Sequence, residues 1–167
     1  MPDGRKGPMM VIGPDEGDSY WQPSPSTGYV TVKISPYNSP FDLFSAGIQV
    51  LEPGTHVREH AHERAHEMLF VHEGTGTAII DGVEHKLFPG SLLMLGRYVQ
   101  HRIANDGPGQ MKLLWVIAPA GLEDWFAAIG RPRAAGETTP PVFTRPDTVG
   151  EIQRQQRFIN PDQSGVK

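Results

Sequence analysis

Residues 77–88 read TAIIDGVEHKLF, two short apolar runs on either side of Asp81-Gly82. An Asp-Gly pair supplies the two left-handed backbone positions of a two-residue turn, so the flanking runs must pair as antiparallel strands. The same punctuation recurs along the chain, which has 19 glycines and 16 prolines in 167 residues. YVTVKIS at 29–35 alternates with the period of a half-buried strand. Further strands are expected in FDLFSAGIQVLEPG at 41–54, MLFVHE at 68–73, SLLML at 91–95, VQHRIA at 99–104 and MKLLWVI at 111–117. Many short strands joined by tight turns build a sandwich or barrel.

The pattern changes after residue 120. In GLEDWFAAIG at 121–130, Leu122, Trp125, Phe126 and Ile129 form one helical stripe. Glu123 and Asp124 sit in the first turn, where the helix dipole favours acids, and Gly130 stops the helix. The expected organisation is one all-β domain: an N-terminal arm over 1–28, a jelly-roll barrel over 29–120, and a short C-terminal α-helix with an extended tail over 121–167. Tyr20 and Trp21 are the candidate anchors of the arm. Leu69, Val71, Met94, Ile103, Leu114 and Val116 are expected to face the barrel interior.

The formal net charge is −4 and no basic patch stands out, so the footprint of a nucleic-acid binder is missing. Cysteine is absent, which excludes thiolate metal sites, disulfides and a cysteine nucleophile. No signal-peptide pattern opens the chain and no apolar run reaches the roughly 18 residues of a bilayer span. A soluble, cytoplasmic protein without membrane partners is expected.

Five of the seven histidines fall in GTHVREHAHERAHEMLFVHEG at 54–74. His60 and His62, two apart on an extended segment, point to the same side, as two ligands of one ion must. Glu67 shares a strand face with Leu69 and Val71, where a carboxylate is costly unless something cationic holds it. His101 shares a face with Ile103 far along the chain. Three imidazoles and one carboxylate suit one divalent transition metal per chain, whether Fe, Ni, Mn, Cu or Zn, with up to two positions open for substrate or O2. His56, His66 and His72 read as solvated neighbours. His85 shares a face with Val83 and Leu87 and reads as a buried, hydrogen-bonded histidine or a group behind the site. Asn105 reads as a turn former. Arg58 and Tyr98 are candidate substrate contacts, the plain alternative for Arg58 being a surface arginine.

The stretch Gly54-x5-His60-x-His62-x4-Glu67-x6-Gly74 resembles the first signature motif of the cupin superfamily at every fixed position. Gly90, His101 and Asn105 fall where the second motif has its fixed residues, while Ser91, Gly96 and Tyr98 depart from it. The segment APAGLEDWFAAIGRP resembles the helix after the barrel in small cupins of the quercetin 2,3-dioxygenase-like group. The resemblance implies a jelly-roll barrel with a mononuclear metal in its mouth and a homodimer. It implies a metal-dependent enzyme, first of all a dioxygenase acting on a small enolisable or aromatic substrate, with Glu67 as ligand and catalytic base. The same fold also serves non-oxidative isomerases, decarboxylases, lyases and cyclases, and small-molecule binders without catalysis.

Overall fold

The computed structural model describes residues 7–156 and 158–159. The strands are β1 Asp18–Gln22, β2 Gly28–Ile34, β3 Ser45–Leu51, β4 His56–His62, β5 His66–Glu73, β6 Gly76–Ile80, β7 Val83–Leu87, β8 Leu92–Leu95, β9 His101–Ala104 and β10 Met111–Ala118. Helix α1 (Leu122–Ile129), β11 (Arg131–Pro132), α2 (Val149–Gln155) and β12 (Phe158–Ile159) follow. They form two antiparallel sheets, ordered β11-β1-β2-β3-β10-β5-β8 and β12-β4-β9-β6-β7. The chain changes sheet between β3 and β4 and again between β4 and β5, which is jelly-roll topology. The sheets face one another without closing into a continuous cylinder.

The hairpin forms as the turn chemistry requires. Ile80 pairs with Val83, and both turn residues have positive φ, 46° at Asp81 and 80° at Gly82. The core between the sheets holds Val30, Val32, Leu69, Val71, Leu113 and Trp115 from one side, and Ala78 and Ile103 from the other. Gly47 pairs with Trp115 across the ladder, and a Cβ at Gly47 would lie 2.6 Å from the indole. The glycine is what lets this large ring lie flat on the sheet.

Two expectations are corrected. The first concerns β10, which buries Met111, Leu113, Trp115 and Ile117, so Leu114 and Val116 face outward. MKLLWVI is apolar at almost every position, so alternation alone does not select the inner face. Met94 is likewise on the outer face and 67% exposed. The second concerns His85, which is exposed, because β7 is an edge strand on which only Leu87 is buried. In the N-terminal segment, residues 18–22 form a strand paired with β2, in which Trp21 is buried and Tyr20 packs on the core. Helix α1 forms where its stripe places it and buries Leu122, Trp125, Phe126 and Ile129. Among the described residues no helix is long and apolar enough to cross a membrane.

Candidate metal centre

The site is assembled at the ladder between β4 and β9. Val57 pairs with Ile103 and His60 with His101, so residues 58 and 59 of β4 stand opposite the single residue 102. This is a β-bulge, which re-aims the strand beyond it. Val57 and His60 then both line the cavity although they are three apart. Beyond the bulge, ordinary alternation keeps His62 on the side of His60. The carboxylate arrives from the opposite sheet: Glu67 lies between Leu95 of β8 and Ile117 of β10, on the buried face that Leu69 and Val71 continue.

Donor atoms of His60, His62, Glu67 and His101 all lie within 4.8 Å of one another. Glu67 Oε2 is 3.3 Å from His62 Nε2 and 3.0 Å from His101 Nε2. The His60 and His101 rings are 4.2 Å apart, centroid to centroid. His60 Nδ1 lies 2.8 Å from the Arg58 carbonyl and His101 Nδ1 2.9 Å from the Val99 carbonyl. A carbonyl only accepts, so each Nδ1 donates, and Nε2 is the ring nitrogen turned to the centre.

Electrostatics agree with a cationic occupant. Burial pushes the Glu67 carboxyl upward, but the His101 and His62 imidazoles override it and hold it well below the usual carboxylate range. Burial lowers His60 well below an ordinary histidine, and the neighbouring His101 and His62 add to this, so it is neutral at pH 7. Burial also lowers His101, yet Glu67 beside it turns the balance and raises it. His101 Nε2 is buried without an aligned hydrogen bond. An orphaned imidazole nitrogen facing a carboxylate and two more imidazoles is the donor set of a first-row divalent metal.

Of the other sequence candidates, Arg58 lines the cavity over these donors. Tyr98 does not: it is half exposed, has φ 67°, and donates its backbone N–H to the His62 carbonyl. His56 and Asn105 lie outside the cluster. Asn105 is buried and donates Nδ2 to the carbonyls of Leu51 and Gly109, a turn former as expected. His66 and His72 are exposed.

Sequence reasoning missed the contribution of the C-terminal segment. Beyond α1 the chain returns across the cavity, where Arg145, Gln153 and Phe158 join its lining. Phe158 packs 5.0 Å from His62, 5.5 Å from His60 and 4.9 Å from Trp125, ring to ring. The stripe of α1 is both core and cavity wall, since Leu122, Trp125, Phe126 and Ile129 all line the pocket. Gln22 and Gln49 line its other side, with Gln49 Nε2 donating to Gln22 Oε1 at 2.8 Å.

Residues 47–117 match the Cupin domain family. The match and the His60–His101 cluster coincide, since the four donors all lie inside it. Solved structures with this fold include a sugar phosphate isomerase of the cupin superfamily from Silicibacter pomeroyi, at 18% identity and TM-score 0.57 over 65% of this chain and 75% of that one. A predicted oxalate decarboxylase from Thermotoga maritima is 22% identical, at TM-score 0.54 over 66% of this chain and 99% of that one. These likenesses establish the cupin fold. Protein SchB of Streptomyces halstedii is 32% identical over 73 residues, 44% of this chain and 53% of that protein. The match thus spans about half the length of that curated relative.

Proposed function

We propose that this cupin is a metal-dependent enzyme, a mononuclear dioxygenase acting on a small enolisable or aromatic substrate. The observation that carries the reading is a cluster of four convergent donors, three of which, His60, Glu67 and His101, line a cavity with apolar walls. A structural metal needs no such cavity beside it.

When bound, a divalent transition metal supplies Lewis acidity and, if redox-active, a seat for O2 beside the substrate. His60 and His101 hold their Nε2 atoms in place through the carbonyl bonds on Nδ1. Glu67 presents Oε2 beside them and is the residue to take a substrate proton there. Leu122, Trp125, Phe126 and Phe158 exclude water from the reacting end.

Metal content of untagged protein, read by elemental mass spectrometry, is the first test. About one redox-active ion per chain is expected, followed by O2 uptake matched to substrate loss in a screen that begins with quercetin. Turnover that persists without O2 would replace the dioxygenase by an isomerase, decarboxylase, lyase or cyclase. Failure to load any metal would remove the enzyme reading altogether.

We also propose that the working form is a homodimer. The outer face of the larger sheet supports this: Ile48, Leu114, Phe70 and Leu92 form one row, with Val116, Met68 and Met94 in the next. An apolar face of this kind on a soluble domain is ordinarily covered.

A further inference from the structure

Two arginines line the metal cavity. Arg58 stands at the bulge of β4 and Arg145 on the stretch leading into α2. Neither guanidinium has a carboxylate partner among the described residues, whose acid–base pairs lie elsewhere. Arg145 is partly buried, and its Nε has no hydrogen-bond partner. Its guanidinium carbon sits 5.3 Å from the centre of the Trp125 ring, which supports the cation from one side. Burial lowers the Arg145 pKa to about 10, and the nearby Arg58 charge contributes in the same direction. His56 feels the same field: burial lowers its pKa first, then Arg102, Arg58 and Arg145.

Holding the partly buried Arg145 near a second positive charge is costly, and an anion between the two guanidiniums removes the cost. Glu59 also lines the cavity, but it lies outside ion-pair distance of either arginine. The opposite wall adds a neutral donor: Gln22 is 5% exposed and its Nε2 has no partner. Between these polar ends runs the apolar wall of α1.

We propose that Arg58 and Arg145 form an anion subsite in the metal cavity, and that the substrate is a small carboxylic acid whose carboxylate docks there while its apolar body lies along α1. The planar fork of a guanidinium matches a carboxylate bidentately, which makes arginine rather than lysine the fitting residue. The inference rests on the cavity being the substrate site of the proposed enzyme, and not on which reaction follows.

The probes are benzoate and its uncharged counterpart benzamide, titrated by calorimetry into the full chain as purified and after chelation. Benzoate is expected to bind both forms, at least about tenfold more tightly than benzamide. Arg58→Gln and Arg145→Gln are each expected to weaken benzoate by about tenfold and leave benzamide unchanged. Arg58 is exposed, so Arg58→Glu gives a charge reversal without a folding burden and should abolish benzoate binding. Equal affinity for the two probes, no benzoate binding, or arginine variants that bind benzoate like the parent would overturn the proposal. So would benzoate binding that vanishes on chelation, because the anion would then sit on the metal. Metal content is read separately on every sample, so loss of the subsite and loss of the metal centre are told apart.

Discussion

At the scale of single residues, the proposed metal donors differ in how the site shifts their proton affinity. His60 is neutral in the metal-free protein, whereas Glu67 raises the pKa of His101 above 6.5. A metal takes the Nε2 lone pair, so loading competes with the proton that Glu67 favours on His101. Metal affinity should therefore fall as pH drops, and the decline should begin at higher pH than an ordinary histidine ligand would give, because Glu67 raises the His101 pKa. Calorimetry in two buffers of different ionisation enthalpy should show proton release near neutrality; identical heats would contradict it. His60→Ala and His101→Ala should each abolish stoichiometric metal binding and leave the far-ultraviolet spectrum unchanged. His56→Ala should keep the metal, since His56 lies outside the cluster. These donors were legible because each sits in a pattern with a physical meaning, two histidines on one strand side and a carboxylate on an apolar face. His85 shows where that logic fails. Its neighbours Val83 and Leu87 suggest burial, yet Val83 is 56% exposed because nothing packs on that part of the edge strand. Alternation tells which residues share a face, and only the partner strand tells which face is covered.

At the scale of elements, the hairpin and α1 were legible because local chemistry decides them. The bulge in β4 was not, since it is defined only against β9. Nor was the return of the tail: Phe158 and Arg145 lie in a proline- and charge-rich stretch with no strand or helix period of its own. Their positions come from what they touch, β4 for Phe158 and Trp125 for Arg145. Phe158 packs against two of the proposed ligands and against α1, so it stiffens the histidines as well as covering them. Phe158→Ala should cost about 2 kcal/mol, below the range for a fully buried phenylalanine because Phe158 is only partly buried. More diagnostic is the rate at which a chelator strips the metal. It should rise severalfold in the variant, with stoichiometry at equilibrium little changed. An unchanged rate would mean that the tail merely lies beside the site.

At the scale of the whole molecule, the two faces of the larger sheet divide the work. The inner face holds Trp115, Leu69 and Glu67 and so builds the core and the site together. The outer face carries the apolar rows that pass through Leu92 and Met94, which are 57% and 67% exposed. That outer face also explains why β10 reads as apolar throughout: one set of its side chains fills the core and the other belongs to the exposed rows. Strand β8 ends the sheet, so the outer rows stop at an edge instead of continuing under another strand. A second copy placed on this face would cover both rows by symmetry, each copy presenting the same patch. Leu92→Lys combined with Met94→Lys puts two positive charges on the patch of each copy and four across a symmetric interface. Sedimentation velocity should give a dimer for the parent chain and a monomer for the double variant. Because Leu92 and Met94 point away from the core, the variant should keep its metal and its cavity. A monomeric parent chain would overturn the pairing, and a dimeric variant would place the interface elsewhere. In either case the metal content should stay the same, because all four donors and both arginines of the cavity belong to a single chain.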